Sequence, residues 1–163
     1  MKRVLPPARL RAPVLRPVPS TAVEVGVYRW QHCVTISLGQ KKGSLVIDFA
    51  TVADLNRMDA CCDNAENAET LEAFEHWDAE LHQAIADAAH NSFVANVFGL
   101  MKTVRAQGDW GQLKKKSVTP ERRLAYQAEH RAIVDALRDR DAVRARELTL
   151  AHLLHVRQNL LGY

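Results

Sequence analysis

Phe74-Glu75-His76-Trp77-Asp78-Ala79-Glu80-Leu81-His82 reads as a helix that carries chemistry on its apolar side. It lies within an apolar-periodic run from about Glu69 to His90 that contains neither Gly nor Pro. Leu71, Phe74, Asp78, Leu81, His82, Ile85 and Ala89 recur at helical spacing and so share one face. On that face a carboxylate and an imidazole stand four residues apart, one turn above each other. Among Phe, Leu and Ile neither group can be left unpaired cheaply. Either the two satisfy each other, or they hold something between them.

Outward from this run the chain keeps a helical rhythm. Upstream, Thr51-Val52-Ala53-Asp54 has the spacing of a capping box, with Asp in place of Glu, and predicts a helix to about Asn64. Residues 64–69 form a polar connector. Downstream, His90-Asn91-Ser92 reads as a turn, and a further helix carries Phe93, Val94, Val97, Phe98, Met101 and Val104 towards Arg105. Residues 107–118 form a polar loop with Gly108, Trp110, Gly111 and the solvated run Lys114-Lys115-Lys116. Thr119-Pro120-Glu121 then supplies a capping hydroxyl, a proline at the first helical position and an acid in the first turn, and predicts a helix to about Arg138. Asp141 caps a last helix that runs to about Leu161 and stops at Gly162. Five helices, no convincing strand after residue 50 and mostly short loops make an all-α fold, an antiparallel helical bundle over residues 51–163.

A chain of 163 residues with 47% hydrophobic and 25% charged residues is one domain, or one domain with an appendage. No apolar run approaches the length of a membrane span. Eight of the 22 Lys and Arg fall in residues 1–50, against Glu24 and Asp48 alone, so the net charge of +3 belongs to the N-terminal third and the remainder is mildly acidic. That third forms an irregular or weakly β segment. Pro6, Pro7, Pro13, Pro17 and Pro19 forbid a helix over residues 1–20. Val23, Val25 and Val27, then Val34, Ile36 and Leu38, then Leu45 to Ile47 alternate weakly, as short strands with turns near Gly39 and Gly43 would, or as an unstructured tail. No apolar stretch followed by a small-residue cleavage site marks a targeting peptide. Cys33, Cys61 and Cys62 form no spaced framework, so reduced thiols and a cytoplasmic protein are expected.

Two more helices place an imidazole on an apolar face. His130 lies with Tyr126, Ile133, Val134 and Leu137, and His152 with Ala145, Leu148, His155 and Val156. Adding Asp78 and His82 gives four candidate ligands from three helices, three nitrogens and one carboxylate. Such a set suits a divalent ion such as Zn, Ni, Mn or Fe, and contains nothing soft enough to select copper(I). The plainer reading is that these are satisfied core histidines, with Asp78 accepting from His82 or His130. The remaining polar residues read more plainly still. His76 and Glu80 lie off the stripe and face water, His90 ends a helix, and His155 is a rim residue or hydrogen-bonds the far side of a ligand.

Assembled, these residues resemble the C-terminal ligand-binding (FCD) domain of GntR-type transcription regulators of the FadR-like subgroup. The likeness covers roughly residues 51–162. It is carried by Asp78-x-x-x-His82, by Ala88-Ala89-His90-Asn91-Ser92, and by Glu129-His130-Arg131-Ala132-Ile133-Val134-Asp135-Ala136-Leu137. Asp141-Ala142-Val143-Arg144-Ala145 and Ala151-His152-Leu153 complete it. The resemblance implies a helical bundle around a cavity, with a divalent metal ion (Zn, Ni or Mn) held by Asp78, His82, His130 and His152. It implies a small organic-acid effector on the open metal positions, and a homodimer whose geometry responds to that effector and so alters its hold on operator DNA. Arg105 and Asn159 are then candidate ligand-binding residues, the first as a second carboxylate anchor and the second along the cavity wall.

The N-terminal winged-helix reader of that family is not recognisable in residues 1–50, which hold no amphipathic helix pair, so DNA binding is carried over to no residue. The expectation is a truncated or rearranged gene with an unrelated lead-in, and a winged-helix remnant in the upstream DNA is what would bear it out. Catalysis is not expected, because hydrolysis at such a site needs a general base and no further carboxylate lies on the candidate face. The competing readings are a metal-dependent hydrolase and a metal-free helical dimerisation module.

Overall fold

A computed structural model of the chain describes residues 49–105 and 117–162, the side chains of residues 104, 105 and 161 excepted. The expected Pro-rich lead-in, the weak strands of residues 22–48 and the loop bearing Lys114-Lys115-Lys116 lie outside the described residues. Among those described, five helices follow in order: α1 (Val52–Glu66), α2 (Leu71–Asp87), α3 (Ser92–Arg105), α4 (Pro120–Arg138) and α5 (Ala142–Leu161). Short connections at 67–70, 88–91 and 139–141 turn neighbouring helices back on one another, which is the expected antiparallel packing.

Each helix start is written in local chemistry. The Asp54 N–H donates to the Thr51 hydroxyl at 3.2 Å and the Thr51 N–H to the Asp54 carboxylate at 2.8 Å, so the capping box of α1 forms as read. Thr119 accepts from the Arg122 N–H ahead of α4, and Asp141 from the Arg144 N–H ahead of α5. Two further caps are found in the structure: Thr70 accepts from Ala73 N–H, and Asn91 accepts from Phe93 and Val94 N–H. α5 ends at Gly162, whose φ of 77° places it in the left-handed region that closes a helix.

α1 runs past Asn64 to Glu66. Support comes from α4: the Ala65 carbonyl, which the Ala68 N–H reaches only at 3.4 Å, also accepts from Arg123 at 3.1 Å and Gln127 at 2.9 Å. Arg123 also donates to the Ala68 carbonyl and stacks its guanidinium over the Phe74 ring. On the outer faces Arg131 pairs with Asp63 and Glu66, Arg138 with Asp59, and Arg57 with Asp87. Glu80, expected in water, is instead half-buried and paired with Lys102, because α3 folds back beside it.

Two apolar clusters fill the interior. The larger gathers Leu55, Met58, Cys61, Cys62, Leu81, Ala84, Ile133, Val134 and Leu137, and the smaller Ala65, Phe74 and Tyr126 with Leu71, Val118 and Val156 at its margin. On α2, Asp78 falls between Phe74 and Leu81; on α4, His130 falls between Tyr126 and Ile133. The polar groups thus occupy a layer between the two clusters. Among the described residues no helix is long and apolar enough to cross a membrane.

Candidate metal centre

Three helices deliver the layer's side chains. α2 contributes Asp78 and His82, one turn apart; α4 contributes His130; α5 contributes His152. Asp78, His130 and His152 are buried to 4%, 3% and 3% exposure, and His82 is half-buried. One ring nitrogen each from His82, His130 and His152 lies within 4.8 Å of the others. Asp78 stands at the edge of this set, its Oδ1 3.8 Å from His82 Nε2 and 3.6 Å from His130 Nε2. The three histidines expected as ligands thus cluster, and Asp78 borders the cluster beside His82 and His130.

The spacing can be compared with what an ion requires. Donors each about 2.1 Å from one cation lie roughly 3.0–3.4 Å apart in octahedral or tetrahedral arrangement. His130 Nε2 and His152 Nε2 are 3.2 Å apart, and the Asp78 distances are slightly longer. The same 3.2 Å accommodates an N–H···N hydrogen bond when one of the two rings carries a proton there. The rings are mutually braced: His82 meets His130 edge-on and stacks against His152, at centroid distances of 5.2 and 5.8 Å.

Glu129 was visible in the sequence only as a member of the α4 motif, and its role emerges in three dimensions. One carboxylate oxygen is 2.7 Å from His152 Nδ1 and the other 2.5 Å from His155 Nδ1. Burial pushes its carboxyl up, but the hydrogen bonds from the two imidazoles outweigh this and leave it below the ordinary value. His155 thus reaches the set through Glu129.

The polar layer borders a cavity of about 50 Å³ lined by His82, His130 and His152 on one side and Leu81, Ile85, Phe98, Ile133 and Leu153 on the other. Thr149 also lines it, with its hydroxyl turned to the Ala145 carbonyl at 2.7 Å. Asn159 is not in this lining. It donates to the Tyr126 hydroxyl at 2.8 Å, and the Tyr126 ring packs edge-on against His152 and His155. Burial raises the Tyr126 phenol above its ordinary value. The Arg105 side chain lies outside the described residues.

The model of one protein family, described as the FCD domain, matches residues 38–155. The match takes in α1 to α4 whole and α5 as far as His155, and so contains Asp78, His82, Glu129, His130 and His152. No curated protein shows a significant match to the chain.

Proposed function

The chain belongs to the FCD-domain family, the effector-binding domains of GntR-type regulators, and from that membership we propose a metal-dependent sensor of a small carboxylate that serves transcription control. The observation that carries the reading is the cluster of His82, His130 and His152, with Asp78 beside His82 and His130, next to an otherwise apolar cavity. On this reading the four side chains hold a divalent ion such as Zn, Ni or Mn, which supplies a Lewis-acidic anchor for an anion. A carboxylate is the ligand of choice because its charge goes to that anchor while its carbon body meets Leu81, Ile85, Phe98, Ile133 and Leu153.

The donor set supports this. Glu129 faces His152 Nδ1, which favours a proton there and leaves the Nε2 lone pair aimed at the layer. Asp78 adds a negative charge where a cation would sit, and the apolar clusters on either side keep bulk water out. Both Glu129 oxygens are engaged by imidazoles, so this neighbouring carboxylate serves orientation rather than proton abstraction, and the reading is of binding rather than turnover. Helices that each contribute a ligand shift together when the anion arrives, and in a homodimer that shift reaches operator DNA only if a DNA-binding domain is present. Arg105, at the end of α3, is the proposed second carboxylate anchor, and Asn159 acts on the site through Tyr126.

The test is metal content of untagged protein beside an Asp78→Ala, His130→Ala double variant, followed by a thermal-shift screen of small carboxylates on the metal-loaded parent. Near-stoichiometric metal in the parent, little in the variant and stabilisation by a carboxylate are expected. Metal in neither protein, with no stabilisation by added zinc or nickel, would reduce the histidines to core packing.

A further inference from the structure

The four-residue set leaves open what decides the protonation and aim of its rings. A neutral imidazole carries its proton on one nitrogen only, and only the bare nitrogen can donate a lone pair. His152 has a carboxylate partner on its outer nitrogen. Its Nδ1 lies 2.7 Å from Glu129 Oε2, while its Nε2 lies 3.2 Å from His130 Nε2. Glu129 sits one residue before His130 on α4, so a single turn of helix presents one side chain to each nitrogen of the His152 ring. The second Glu129 oxygen is 2.5 Å from His155 Nδ1, and His155 is only partly buried, beside a second hollow of about 490 Å³ on the outer face of α4 and α5. Glu129 and His152 line that hollow too, and His152 alone of the two also lines the inner cavity.

We propose that Glu129 is a positioning residue that fixes His152 as its Nδ1–H tautomer and so presents the Nε2 lone pair to the centre, with His155 holding the carboxylate in place. An ionised carboxylate has no proton to give and accepts from both rings at once. A carboxamide at this position could accept from one ring only, and its NH₂ would face a bare nitrogen on the other. The two imidazoles would then compete, and His152 would be driven in part to the Nε2–H form, which blocks the lone pair. His155 is a brace in this scheme: without it one Glu129 oxygen still accepts from His152.

The inference rests on the sensor reading for its consequence, metal affinity, but the tautomer can be read in metal-free protein. The ¹⁵N ring shifts of His152, from metal-free protein labelled at histidine, should report Nδ1–H in the parent and a mixture in Glu129→Gln. Competition of a zinc chelator against the same proteins should show Glu129→Gln weaker by about 10–100-fold. His155→Gln should stay within about threefold of the parent, a bound set well inside that range. A parent His152 protonated on Nε2 would overturn the proposal, as would parental zinc affinity in folded Glu129→Gln. Should that variant not fold, the parent ring shifts and the His155→Gln affinity still decide. A parent with Nδ1–H on His152 but no affinity for zinc would uphold Glu129 as the positioning residue and defeat the metal reading instead.

Discussion

Asp78 places a carboxylate at 4% exposure between Phe74 and Leu81, so its charge rather than its shape is what it adds to the layer. Asp78→Asn keeps the volume and one oxygen acceptor but removes the anion that favours a cation. Zinc titration of this variant should show affinity weakened at least about 10-fold with an unchanged helical spectrum; parental affinity would leave the three imidazoles as the whole site. The cysteines make the opposite case, of residues whose chemistry is silenced. Burial pushes the Cys62 thiol up to about 12 and shifts Cys61 in the same direction. Because the thiolate is the reactive form, a chromogenic disulfide reagent should find neither in the native state of a Cys33→Ser background, and both after denaturation. Rapid labelling of native protein would mean that α1 opens far more readily than its packing implies.

At the scale of the helix, capping is strong enough to test by titration. Thr51→Ala removes the hydroxyl that accepts from Asp54 N–H and should cost about 1 kcal/mol in urea unfolding. Asp54 answers to pH. Hydrogen bonds from the Thr51 hydroxyl and N–H, aided by His90, hold its carboxyl below the ordinary 3.8. A depressed carboxyl binds its proton more weakly folded than unfolded, so its stabilisation is complete above 3.8 and is lost as pH falls through the lower folded value. Urea midpoints of the parent and Asp54→Asn should therefore differ at neutral pH and converge in strong acid; a constant gap would assign the effect to something other than ionisation. These caps were legible in the sequence because each donor and acceptor lie within three residues of one another. The end of α1 was not, because the groups that support it, Arg123 and Gln127, come from 58 and 62 residues away in the chain.

The same contrast of local and distant information governs the whole molecule, and it suggests a last measurement. Asp78, His82, His130 and His152 could be read from sequence because each is a polar residue on an otherwise apolar helical face. Glu129 could not, since it stands among polar neighbours on α4 and meets its partners 23 and 26 residues further on. Its pairing crosses between α4 and α5, as the proposed metal links cross between α2, α4 and α5, whereas α1 and α3 contribute no member of the set. α1 is joined to α4 by Arg131 with Asp63 and Glu66, and α3 to α2 by Lys102 with Glu80. Zinc at 100 times its dissociation constant should stabilise the fold by about 2.7 kcal/mol. That gain should be unevenly distributed, because ligation restrains directly only the helices that supply ligands. Hydrogen exchange with and without zinc should show the largest slowing around residues 78–82, 130 and 152, a smaller effect in α1 and the least in α3. Equal slowing in all five helices would mean that the bundle opens only as one unit. The coupling of α2, α4 and α5 would then have no independent standing as the moving part of a sensor.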